Sequence, residues 1–374
     1  MANSSASGDA ASVKPPTAAE LESRNAQITA TIYGQCIGDA IGLLTEFLTK
    51  SEAKKNYKKK NLEYDMKIPD FHRSRWQVGD WTDDSDQMLL ILLSLLDQRG
   101  ETDVKDFAGR LKNWMLHGFP EFGDLAGMGI GATTKAVLGN AYFRDDPQKV
   151  AYQVWERKGR NIAPNGGVMR TSVVGTHCWW DTSTVVKNAR DFVTCTHYDQ
   201  RCQASAVSVS ACISLMLQRQ PQHLDKKGKY KVDQLIKDTF SIAGQCLKDE
   251  EDKKLLWQYL SCKNVKELEL DDAARIGFTY KSMGAGFWAL KQDDFRKAIQ
   301  KVTMQGGDAD SNACVAGAML GCKLGMEKIP ESWKSGLIHK DWLDQHIERL
   351  TSLSLSASHT YARAHTHMHV HTSA

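Results

Sequence analysis

The chain has 374 residues, 41% of them hydrophobic, with 48 Lys and Arg against 45 Asp and Glu. A formal net charge of +3 is too small to argue for a nucleic acid as partner, and none is expected. Nine cysteines show no Cys-x-x-Cys spacing, no secretory apolar stretch opens the chain, and no apolar run is long enough to span a bilayer. The expectation is a reduced, intracellular protein, cytoplasmic or nuclear. Length alone suggests two or three domains. However, proline is scarce, at 8, and no Pro/Gly/Ser linker interrupts residues 25–350. The sequence therefore predicts one all-α domain with a continuous core over 19–352, between disordered tails at 1–18 and 353–374.

In chain order, residues 1–18 are rich in Ala and Ser and lack arginine, which argues against a mitochondrial presequence. Helical periodicity then runs over Gln27–Leu44, enclosing Gly38-Asp39-Ala40-Ile41-Gly42, with Glu46-Phe47 directly after. Asp39 reads either as a group supporting a ligand or as a buried structural acid. The run Lys54–Lys60 reads as a solvated loop, with steering of a polyanion as the functional alternative. Trp81-Thr82-Asp83-Asp84-Ser85-Asp86 opens a helix over Asp86–Leu96, in which Leu89, Leu93 and Leu96 share a face. A further helix is predicted over Phe107–Met115.

Two glycine-rich runs follow. Gly127, Gly129 and Gly131 lead into an Ala-Thr-Thr-Lys helix, and Asn165-Gly166-Gly167-Val168-Met169-Arg170 has Asn165 able to cap and Arg170 able to reach a phosphate or a buried acid. Neither run follows a clear strand, so Rossmann and P-loop readings fail their context. By composition alone, tight helix packing is the better use of these glycines. Val173-Val174 reads as helix interior. His197 reads as a ligand contact or a satisfied structural histidine. Helices are predicted over Ala204–Met216 and, after Gly306-Gly307-Asp308-Ala309-Asp310-Ser311, over Val315–Leu324. The alternating His365, His367, His369 and His371 form a tract able to chelate a transition metal weakly, with no catalytic part assigned.

The two acidic clusters carry the functional argument. Each precedes an apolar helical run, where free N–H groups and the helix dipole favour carboxylates, so Thr82 and Asp308 can be plain N-caps. Oxygen donors of this kind also suit a hard cation, Mg²⁺ or Mn²⁺. If the fold joins both clusters, the carboxylates must take up protons or bind cations.

With their flanks, five segments in order resemble the ADP-ribosylglycohydrolase family: Gly38–Gly42 with Glu46-Phe47, Trp81–Met88, Gly127–Thr134, Pro164–Arg170 and Gly306–Asn312, with His197 after the fourth. The resemblance runs from about Thr31 to Ile329-Pro330. It implies a compact orthogonal bundle of helices and a metal-dependent hydrolase cleaving the glycosidic bond at the distal ribose of an ADP-ribosyl group. It implies a two-metal centre, Mg²⁺ or Mn²⁺, held by Thr82, Asp83 and Asp84 on one side and Asp308, Asp310 and Ser311 on the other. The family often has threonine where Ser311 stands. Glu46, on a segment over the site, and Asp124 are the implied acid–base residues. Gly127, Gly129, Gly131, Asn165, Gly166, Gly167, Val168, Met169, Arg170 and His197 would cradle the ligand's diphosphate and ribose. A non-catalytic ADP-ribose binder or structural protein on this scaffold is the alternative. A dinuclear phosphohydrolase is the weaker enzymatic rival, lacking histidine ligands near the acids.

Overall fold

The computed structural model describes residues 18–58 and 61–371, with side chains described through 356. Fifteen α-helices follow one another among the described residues. The first eight are α1 (Ala18–Gly42), α2 (Lys50–Tyr57), α3 (Asp83–Asp97), α4 (Val104–His117), α5 (Ala132–Leu138), α6 (Pro147–Arg157), α7 (Thr182–Thr194) and α8 (Gln200–Gln218). Then come α9 (Val232–Ala243), α10 (Glu250–Ser261), α11 (Thr279–Leu290), α12 (Phe295–Thr303), α13 (Ala309–Leu324), α14 (Glu331–Ser335) and α15 (Lys340–His371). Among the described residues, β pairing is limited to the isolated bridges Pro164–Phe278 and Leu224–Tyr230.

Several outer helices, among them α4, α6, α7 and α12, are amphipathic and carry a side-chain cap at the start. In α12, Phe295, Ala298, Ile299 and Val302 make a stripe at helical spacing, and Asp294 accepts from Lys297 N at the start. The inner helices are apolar or small on all sides. In α8, every residue from Cys202 to Leu217 is buried, and α11 is buried throughout. Serines survive there because Ser208 donates to Ala204 O at 2.7 Å and Ser210 to Thr171 O at 2.8 Å.

The centre of the fold is the packing of α1 against α13. Gly34, Gly38 and Gly42 are spaced by four in α1, and Ala309, Ala313, Gly317 and Gly321 by four in α13. A Cβ added at any of these glycines would stand well inside 3.0 Å of the opposite backbone. The two backbones therefore touch, which only small side chains on i, i+4 ridges permit. This contact brings the end of α1 against the start of α13, with Gly42 facing Ala309 and Asp310.

One main hydrophobic core spans the helices, with a small satellite of Ala163, Val193, Cys202 and Ala206. All five helices expected from periodicity are present, and Val173-Val174 lies in a 3₁₀ turn, Ser172–Gly175. The segment read as a basic loop begins as helix instead: Lys54 and Lys55 lie in α2, where Thr49 and Glu52 form a capping box, and residues 59–60 lie outside the described residues. The expected tail at 1–18 lies outside them except for Ala18. The expected tail at 353–374 differs in its first part, because α15 keeps a helical backbone to His371 and buries Ser354. Side chains of the His-rich tract lie outside the described residues. The nine cysteines are free thiols, seven of them buried.

Candidate active site

The Trp81–Asp86 cluster is anchored from α1. Asp39, fully buried, accepts from Thr82 N at 3.1 Å, Thr82 Oγ1 at 2.9 Å, Ser85 N at 2.9 Å and Ser85 Oγ at 2.6 Å. One carboxylate thus satisfies the N–H groups at the start of α3 and takes the hydroxyl proton of Thr82. Thr82 Oγ1 also stands 3.4 Å from Asp84 Oδ2 and from Asp310 Oδ2. Thr82 is also the N-cap of α3, accepting from Asp84 N. The capping reading of this threonine and the ligand reading are compatible. Asp86 turns elsewhere, accepting from the indoles of Trp81 and Trp114 at 2.9 Å each.

From the other side come Asp308, Asp310 and Ser311. Asp308 occupies the N-cap position of α13, yet its side chain does not cap. Its Oδ2 instead accepts from Asn165 Nδ2 at 2.9 Å. Ahead of it, Gly306 and Gly307 take φ of +70° and +72° and pass so close to Leu48 O and Leu270 O that a side chain would collide. Gly307 exchanges main-chain bonds with the Glu46 segment, donating to Leu48 O at 2.8 Å and accepting from Phe47 N at 2.7 Å. Phe47 itself sits at φ +59°, a costly conformation for a bulky residue, and the residue is 58% exposed. Glu46 is aimed inward, held through His72 Nε2 at 2.6 Å and through Arg73, which bonds Glu46 O. Carboxylate oxygens of Glu46, Asp308 and Asp310 lie within 4.8 Å of one another.

These groups share a cavity of about 200 Å³, whose lining includes Asp83, Asp84, Asp308, Asp310 and Ser311 together with Thr134, Asn165, Gly166, Met169 and His197. A larger open groove of about 670 Å³ lies against α6 and α7, lined by Lys149, Lys187, Arg190 and Tyr152, without convergent acids. Burial first, and then the neighbouring carboxylates, hold Asp83, Asp84 and Asp310 well above the ordinary carboxyl range; Asp308 is raised too, chiefly by burial. No Lys or Arg stands among the residues lining this cavity. Asp84 Oδ1 is buried without a hydrogen-bond partner. An all-oxygen donor set with an orphaned carboxylate oxygen and repelling neighbours fits hard divalent cations.

The remaining residues expected at the site divide into two groups. Gly129 and Gly131 line the cavity, and a Cβ on Gly129 (φ +87°) would strike Asp83 Oδ1. Asn165, Gly166, Met169 and His197 line it as well. Five residues expected in the cradle or in catalysis face elsewhere. Gly127 packs on Trp114, Gly167 on Val193, and Val168 is core. Arg170 does not reach toward a phosphate; it is fully buried, donating to Gln87 Oε1 at 2.7 Å, Thr196 Oγ1 at 2.7 Å and Phe192 O at 3.2 Å. Asp124 Oδ2 accepts from Phe119 N at 2.9 Å, so it folds a loop outside the cavity lining. Asn165 does not cap; its amide bridges Asp308 and Ser282. Sequence reasoning missed Gln87 and Thr134. Gln87 stands one helical turn after Asp83 and donates to its Oδ2 at 2.8 Å, a spacing that was there to be read.

The sequence profile of the ADP-ribosylglycohydrolase family matches residues 19–359. The chain is 24% identical over 338 residues to the ADP-ribosylarginine hydrolase Tri1 of Pseudomonas putida, covering 85% of this chain and 75% of that protein. It is 24% identical over 322 residues to the ADP-ribosyl-[dinitrogen reductase] glycohydrolase of Rhodospirillum rubrum, covering 84% and 90%. A solved ADP-ribosylglycohydrolase-related protein complex has the same fold, with a TM-score of 0.66 over 89% of this chain and 99% of that one at 21% identity. The chain belongs to the ADP-ribosylglycohydrolase family and is a glycosidic hydrolase.

Proposed function

We propose that this protein releases ADP-ribose from an ADP-ribosylated side chain by hydrolysing the bond at the anomeric carbon of the distal ribose, with Mg²⁺ or Mn²⁺ as cofactor. The observation that supports it best is the meeting of two helix-start acid clusters in one cavity with Glu46. Thr82, Asp83 and Asp84 would hold cations from α3, and Asp308, Asp310 and Ser311 from α13. Bound there, divalent cations supply Lewis acidity toward sugar hydroxyls and make water easier to deprotonate.

The chain's own residues do the rest. The negative wall favours the oxocarbenium-like character of a sugar losing its leaving group. Water attacks the anomeric carbon, the bond to the side-chain atom breaks, and a proton passes from the water to that leaving atom. Glu46 handles this proton, since it points into the cavity, whereas Asp124 is engaged outside it. Gly129, Gly131 and Gly166 let the ligand approach the backbone, and Asn165 keeps Asp308 oriented.

The name of the Tri1 relative makes an arginine linkage the first to test. Arginine-, serine- and poly-ADP-ribosylated substrates are incubated with Mg²⁺, with Mn²⁺ and with chelator, and free ADP-ribose is measured. Metal-dependent release from one linkage is expected. No release from any of them, while ADP-ribose still binds by calorimetry, would overturn the reading in favour of a non-catalytic binder.

A further inference from the structure

Arg170 is a buried cation that touches neither the cavity nor an acid, and its bonds run outward toward the site. A guanidinium only donates, so each group it bonds must accept from it. Thr196 Oγ1 accepts from Arg170 Nη2 at 2.7 Å and lies 2.7 Å from His197 Nδ1. Among the described residues Thr196 Oγ1 has only Arg170 and His197 as partners, and Arg170 cannot accept, so His197 Nδ1 is the one acceptor open to the hydroxyl proton of Thr196. Nδ1 then accepts, and the ring proton stands on Nε2. The same logic operates on the opposite side, where Gln87 Oε1 accepts from Arg170 and its amide donates to Asp83 Oδ2.

His197 is buried, and its Cε1–Nε2 edge faces Gly166, where a Cβ would stand 2.9 and 3.0 Å from those atoms. The ring lines the same cavity as the acids. We infer that Arg170 and Thr196 are positioning residues that lock His197 as a neutral imidazole with Nε2–H donating into the cavity. Such a group offers a ligand oxygen one fixed donor, and it neither pairs with the carboxylates of the site nor exchanges protons during turnover. Burial and the Arg170 charge agree with this, pushing His197 down to about 3.

That the oxygen belongs to ADP-ribose rests on the proposed function; the tautomer does not. The test is ¹⁵N NMR of histidine-labelled protein, with the His197 signals assigned by comparison with His197→Gln. Nitrogen shifts separate a protonated from an unprotonated ring nitrogen. The expected wild-type spectrum shows an unprotonated Nδ1 and a protonated Nε2, unchanged from pH 5 to 8. Thr196→Val should remove the hydrogen-bond shift of Nδ1 and mix the tautomers, and Thr196→Ser should restore both. ADP-ribose affinity should fall about three- to tenfold in Thr196→Val, the scale of one hydrogen bond.

A wild-type ring protonated on Nδ1, or titrating between pH 5 and 8, overturns the assignment without any variant. So does a Thr196→Val spectrum matching that of the wild type. An Nε2 signal that stays put while calorimetry shows ADP-ribose binding overturns the donor role. Absence of ADP-ribose binding altogether would count against the proposed function, with the tautomer still decided by the pH series.

Discussion

Asp310 and Asp83 are buried among like charges, which costs folding energy that a cation or a proton would relieve. Asp310→Asn should therefore abolish turnover and weaken divalent-metal binding while stabilising the metal-free protein by about 1–3 kcal/mol, as read from denaturant midpoints. Loss of stability in the metal-free variant would contradict the repulsion. Glu46→Gln keeps the shape of the side chain and its acceptor oxygen for His72 but removes the charge and the basicity. It should lower kcat by about 10²–10⁴ with a smaller change in ADP-ribose affinity. Equal losses in both would point to a binding role. The acids that meet in the cavity were legible in the sequence because each cluster sits directly before an apolar run. Asp124 and Arg170 were not, since spacing does not tell which way a loop turns. One is engaged by Phe119 N and the other by Gln87 and Thr196.

The contact of α1 with α13 sets the distance between the two acid clusters. Gly38→Ala should destabilise the protein by about 3 kcal/mol or more, because its Cβ would press on Ala313 O and neither backbone can yield alone. Gly109→Ala makes the contrast. Gly109 lies inside α4 with nothing within 4 Å of an added Cβ, so this change should stabilise by about 0.5–1 kcal/mol. Thermal or denaturant unfolding of both variants checks the pair. The four-residue spacing of Gly34, Gly38 and Gly42 could be read beforehand, as could that of Ala309, Ala313, Gly317 and Gly321. Their pairing could not, because nearly the whole chain separates them. Helical periodicity found α1, α3, α4, α8 and α13, and the glycine run ahead of Ala132 led into α5. It did not find the others, among them the 32-residue α15 and the short α14, whose single turn gives too little repeat to register.

At the scale of the molecule, the acid cluster couples folding to pH. The carboxyls of Asp83, Asp84, Asp308 and Asp310 are raised in the folded state above an unfolded value of about 4. A group raised in this way supports the fold fully below its unfolded pKa, and that support is lost as pH climbs through the folded pKa. Metal-free protein should thus lose stability from about pH 5 upward more steeply than Asp310→Asn, and added Mn²⁺ should flatten the decline. Thermal melts across pH with and without metal measure it. The helical class and the single core followed from composition and periodicity. The order of packing did not, because it depends on backbone contacts between segments far apart in the chain.

The account stands on the acids of α3 and α13 acting together as ligands. Calorimetric titration of Mn²⁺ into metal-free wild type and Asp310→Asn tests that most directly. Two ions per chain in the wild type, with at least one site lost or greatly weakened in the variant, is the predicted result. The same stoichiometry and affinity in both proteins would contradict it.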